Sequence, residues 1–268
     1  NKADIIFSEI NSTITGGGGF GLVQGASAPE ISVAIGGALP ASAVSGAKIP
    51  ITQTVSVTNI TGAAIGGTVG VNIGLSTDAT FSADDTPLGS TTIKGIIKVA
   101  TPKTKKVKFT SIPAGMTPGI YYIVVEAMDP SGGIAFSRSA GTINILAPQV
   151  DLSGAFKKAP TTARAGKRLS ASITITNSGN VPSTGALPII VDTSLINTLD
   201  STAAQASAFS KRINIKPGKS ITIQLSKLIA PSTAGSYYLI VQLDPNNALG
   251  DANTANNVFA TGSAIVVS

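Results

Sequence analysis

The chain has 268 residues, 43% of them hydrophobic and 12% charged, with a formal charge of +6 and no Cys, His or Trp. That length suits two medium domains, each large enough to bury its own core. Without Cys or His there is no disulfide, no Ser-His-Asp or Cys-His centre and no usual zinc set, so an enzyme is not expected.

The first predicted element is an arm, residues 1–28. From Ala3 to Ile14 its apolar residues alternate, with Ile6, Ile10 and Ile14 in one phase and Ile5 and Phe7 in the other. That is the period of a strand. Gly16, Gly17, Gly18 and Gly19 follow, a flexible hinge by composition and costly to order. The arm has no counterpart later in the chain. It can fold back on its own first domain, or add to a sheet edge of another copy. Repeated head to tail, the second contact builds an open filament.

From residue 29 the sequence runs twice through one pattern. Pro29, Glu30, Ile31, Ser32 and Val33 open the first copy; Pro148, Gln149, Val150, Asp151 and Leu152 open the second. An alternating run ending in Asn follows in each, Thr54 to Asn59 and Ser172 to Asn177. Then comes Gly-x-Tyr-Tyr with an apolar tail and Asp-Pro, from Gly119 to Pro130 and from Gly235 to Pro245. The offset stays between 116 and 121 residues, which places the domains at 29–147 and 148–268.

Val55 and Val57, and Ile173 and Ile175, alternate with Ser and Thr as half-buried strands do. Strands recur every 8–15 residues between Gly, Pro, Asn and Ser turns, and no helix of three turns is evident. The fold expected is all-β: two tandem immunoglobulin-like β-sandwiches with an extended N-terminal strand arm. Their cores must be aliphatic. One tyrosine of each pair, Tyr121 or Tyr122 and Tyr237 or Tyr238, should point inward and tie its hydroxyl to a loop.

At these residues the sequence resembles the cell-adhesion-related domain found in bacteria, CARDB. The second half carries the likeness in Asp151 and Leu152, Ile175 to Gly179, Ile215 to Ser220, Gly235 to Leu239, and the closing run from Asp244 to Asn257. Asp251 stands where the family usually has Glu, and the first half lacks the closing Asn cluster. The resemblance implies a secreted or surface β-sandwich with adhesive or spacer roles and no catalytic residues. The function expected is a fibre or surface-assembly subunit joined through its arm. The alternative is an adhesin stalk or carbohydrate-binding module.

Two acidic clusters invite a cation. Asp78, Asp84 and Asp85 lie close together, and Asp244, Asn246, Asn247, Asp251, Asn253, Asn256 and Asn257 offer more oxygens. Calcium takes six to eight such ligands, and its role here would be rigidity. The competing reading is Asp and Asn side chains capping turn amides, with no cofactor.

Lys106 and Lys108 lie on one face of a predicted strand, and Lys103 and Lys105 on the other. They guard an edge or meet an anionic cell-surface polymer. Asn11 and Asn59 both begin glycosylation sequons. Nucleic acid is not an expected partner, since no basic cluster carries stacking aromatics. No apolar run is long enough for a membrane span, and no signal-peptide pattern appears, so an exported protein is met here in mature form.

Overall fold

A computed structural model of the chain describes residues 27–268. The arm residues Ile5, Ile6, Phe7, Ile10 and Ile14, with the hinge Gly16 to Gly19, lie outside the described residues.

In the first sandwich β1 (Ile31–Gly36) pairs with β3 (Lys48–Asn59), which pairs with β6 (Lys103–Ser111). The facing sheet has five strands in the order β2 (Ser42–Val44), β8 (Ile134–Leu146), β7 (Gly119–Met128), β4 (Thr68–Ser76) and β5 (Thr86–Lys94). Only β2 and β8 run parallel; the chain crosses from one sheet to the other between β1 and β2.

The second sandwich repeats this strand for strand. One sheet is β9 (Leu152–Lys158), β11 (Arg168–Asn177) and β14 (Lys219–Ile229). The other runs β10 (Thr162–Ala163), β17 (Ile265–Val267), β15 (Gly235–Leu243), β12 (Ser183–Ser194) and β13 (Ala204–Ile215), with β16 (Val258–Ala260) also on β15. Again the short crossing strand, β10, is parallel to its neighbour β17. Both are immunoglobulin-like sandwiches. No helix among the described residues is long and apolar enough to cross a membrane.

Alternation decides which face is buried. Val55 and Val57 on β3, and Ile173 and Ile175 on β11, are 0% exposed, while the Thr and Ser between them are half-buried or exposed. Each such burial stabilises by roughly 2 kcal/mol, and a slip of one residue would turn the whole set to solvent. Each sandwich has its own aliphatic cluster. Pro50 is tolerated within β3 because a register shift between Lys48 and Ile51 interrupts pairing with β6 there.

The tyrosine expectation holds in the first sandwich. Tyr121 is buried and its hydroxyl donates to the Thr117 carbonyl at 2.8 Å. Tyr122 turns outward, with the Arg138 guanidinium 4.5 Å from its ring centre. In the second, the Tyr237 ring folds back over Gly235, where an added Cβ would come within 3.2 Å of it.

The break in the last strand is shared too. The Ile123 amide donates to the Ser139 hydroxyl at 3.0 Å, and the Leu239 amide to the Thr261 hydroxyl at 3.3 Å. A hydroxyl thus replaces the missing ladder partner where pairing lapses.

Aromatic packing is confined to a few places. Phe156 and Phe259 meet edge to face, ring centres 5.6 Å apart. The Phe259 ring lies on Gly154, and any Cβ at that position would overlap it. Gly154→Ala should therefore destabilise the second sandwich by about 1–3 kcal/mol, read as a lower urea midpoint with an unchanged slope.

Candidate functional site

Asp78 is exposed between β4 and β5. Its Oδ1 accepts from the Thr80 amide (2.8 Å), the Thr80 hydroxyl (2.7 Å) and the Ser76 hydroxyl (3.3 Å). The Thr80 amide, above all, holds its pKa below the usual carboxylate value. Asp85 accepts from the Ser82 amide at 2.8 Å, and Asp84 from the Ser82 hydroxyl.

In the loop after β15, Asp244 is buried at a backbone φ of 43°. It accepts from the amides of Ala248 and Leu249 at 2.9 and 2.7 Å. Asp251, also buried, accepts from the amides of Leu152 (2.8 Å) and Asn253 (2.9 Å). Asn246 and Asn253 are exposed. Among the described residues no three acidic side chains gather to hold a metal ion. These carboxylates cap turns and fasten the loop to the start of β9.

Domain one fastens its first strand with a different residue. Asp129 follows β7 and is 3% exposed. Its Oδ2 accepts from the Glu30 amide at 2.7 Å. Its Oδ1 accepts from the Ser131 amide (2.9 Å), the Ser131 hydroxyl (2.7 Å) and the Gly133 amide (2.9 Å). Burial pushes its pKa up, but the Ser131 hydroxyl and the amides of Glu30, Gly133 and Ser131 outweigh that and leave it lowered.

The Asn closing each alternating run has a role that periodicity did not suggest. Asn59 is 1% exposed and Asn177 0%. The Asn59 amide group donates to the carbonyls of Ala63 (2.7 Å) and Ile97 (3.0 Å). The Asn177 amide group donates to Val181 (2.8 Å) and Ile215 (2.9 Å). The side-chain oxygens accept from the Thr61 amide (2.8 Å) and the Gly179 amide (3.0 Å). One side chain thus ties the end of a strand, the loop after it and a third segment 38 residues on. Asn59 is no glycosylation site in the folded chain, since its nitrogen is buried and both its hydrogens are engaged.

The open sides of the sandwiches differ. In the first, β5 and β6 are edge strands. By its register with β3, β6 turns Lys103 and Lys105 toward the facing sheet. Lys105 donates across the gap to the Thr92 carbonyl of β5 at 2.9 Å, and Lys103 to that of Lys94. The predicted lysine strand is therefore an edge, and two of its lysines span it.

In the second, the corresponding edges are β13 and β14. Between them lies a cleft of about 560 Å³ with Phe209, Ile223, Leu225 and Leu228 in its lining, together with Ser207 and Lys211. No motif reading found it; only a comparison of inward positions between the two repeats could have.

Residues 149–261 match the CARDB family model. The second sandwich is a CARDB-like domain. The chain is also similar to the CARDB domain of a Pyrococcus furiosus protein, solved as a crystal in complex with di-metal ions. Identity is 18%, over 45% of this chain and 94% of that one, with a TM-score of 0.32. A solution NMR structure of that domain gives 18%, 45%, 96% and 0.32. Red sea bream transglutaminase gives 14% identity over 90% of this chain and 32% of its own length, TM-score 0.32. The curated proteins give no match.

Within the CARDB-like domain the residues that carry the family pattern act as internal ties. Asp251 holds the Leu152 amide. Asn177 brackets three segments. The Gly218 amide returns to the Asn177 carbonyl at 2.8 Å, and Asp244 caps its own loop.

Proposed function

We propose that the protein is a non-catalytic structural subunit of an extracellular, cell-surface assembly, joined to copies of itself by strand addition of the N-terminal arm. One observation carries the reading: in both sandwiches buried Asn and Asp side chains, namely Asn59, Asp129, Asn177, Asp244 and Asp251, are taken up by main-chain groups. Polar atoms spent in that way rigidify a scaffold and leave no acid–base pair for chemistry. CARDB domains belong to surface or extracellular proteins, which supports the location. The arm supplies the joint. Its twelve residues from Ala3 to Ile14 alternate as a strand, and its glycine hinge lets it reach a neighbour.

Deleting residues 1–15 should abolish polymers seen by negative-stain microscopy and size exclusion, while both sandwiches keep their unfolding transitions. Polymers from the truncated chain would end the reading. A surface-binding stalk is the second reading. Phe136, 54% exposed and stacked on Phe81, favours it, and it requires the full chain to stay monomeric.

A further inference from the structure

We propose that the arm's acceptor is the cleft between β13 and β14 in the second sandwich of a neighbouring copy. The assignment rests on the assembly reading above and adds its address.

The two repeats make the case by contrast. On β6, Lys103 and Lys105 lie opposite Val57 and Val55 of β3. On β14, Ile221 and Ile223 lie opposite Ile175 and Ile173 of β11. The positions correspond, and lysine in one sandwich is isoleucine in the other. Inward-pointing lysines are a device against strand addition; here they also occupy edge carbonyls of β5. Among the described residues no side chain hydrogen-bonds across from β14 to β13. The corresponding open side is thus bridged by lysines in one copy of the fold and carries isoleucines at the same positions in the other, with each flanking strand paired on one side only.

The arm fits what that cleft lacks. Twelve residues from Ala3 to Ile14 extend about 40 Å, and β13 and β14 have 12 and 11 residues. Ile6, Ile10 and Ile14 share one phase of the alternation and can pack over the half-buried Phe209 and Ile221, which lie against the buried Ile223, Leu225 and Leu228. Asp4 and Glu9 give the arm a net negative charge, and Lys211 and Lys227 both line the cleft. A strand seated there gains main-chain hydrogen bonds from an edge as well as side-chain burial.

The test transplants the closing device. Ile221→Lys with Ile223→Lys, in the full chain, should leave it monomeric, whereas Lys103→Ile with Lys105→Ile should still assemble. Normal polymers from the first variant, or loss of assembly only in the second, overturn the site. If deletion of residues 1–15 prevents assembly but the double-lysine variant polymerises, the site alone fails; if the deletion itself polymerises, the assembly reading fails with it.

A second measurement avoids altering the cleft. The described residues form a hydrophobic cluster in each sandwich, so the chain lacking residues 1–15, once its two unfolding transitions are confirmed, can serve as acceptor. A peptide of residues 1–15, spin-labelled at its C-terminus, should broaden the methyl signals of Ile223, Leu225 and Leu228. It should bind the double-lysine acceptor at least tenfold more weakly. Broadening confined to another face, or none, overturns the assignment.

Discussion

Asn177→Ala is expected to lower the stability of the second sandwich by about 3 kcal/mol or more. The side chain is 0% exposed, donates to the carbonyls of Val181 and Ile215 and accepts from the amide of Gly179. Alanine removes all of these ties and brings no replacement. A buried group left without a partner costs roughly 1–3 kcal/mol, so two or three losses together exceed the effect of most point changes. Asn177→Asp should be nearly as damaging, because it deletes both donors and places a carboxylate against two carbonyls. Asn59→Ala should do the same to the first sandwich. Urea unfolding followed by tyrosine fluorescence would report the drop, and a change below about 1 kcal/mol would contradict the bracket.

Asp129→Ala should destabilise the first sandwich by about 3–5 kcal/mol, since hydrogen bonds to a charged acceptor contribute roughly 1.5–3 kcal/mol each and are not additive. Four donors converge on this carboxylate, and one of them, the Glu30 amide, anchors the entry to β1. The same geometry sets a pH dependence. The folded pKa of Asp129 lies below that of an ordinary aspartate, so the unfolded chain takes up its proton first as pH falls. The contribution is therefore complete above the unfolded pKa and is lost as pH drops through the folded one. Stability measured from pH 7 down to pH 2 should decline below about pH 4, and less steeply in Asp129→Ala. Equal declines in the two proteins would refute the assignment.

These two residues also mark what a linear reading can reach. Alternation on β3 and β11, with Val55, Val57, Ile173 and Ile175 facing inward, is a local property of an extended chain, and it revealed the strands and the all-β class. The repeat offset showed that the same architecture occurs twice. The same period showed that one tyrosine of each pair turns inward; that it is Tyr121 in the first sandwich was settled by the fold. The lysine strand was legible as an edge from its charge alone.

What the tertiary structure decided lies in contacts between distant segments. Asn177 meets a carbonyl 38 residues away, and Asp129 and Asp251 each meet an amide 99 residues away; nothing in local spacing encodes such partners. The acidic clusters illustrate the point from the other side, because Asp244 and Asp251 look alike in sequence yet cap different segments.

By itself the sequence determined the strands, their buried faces, the duplication and an aliphatic core, because each depends on a period of two and on composition. Sheet pairing and register decided the rest: which polar side chain ties which segment, and that Lys103 and Lys105 span one open side where Ile221 and Ile223 hold the corresponding positions of the other. Those outcomes depend on which edges come to face each other, and a chain acquires facing edges only when it folds.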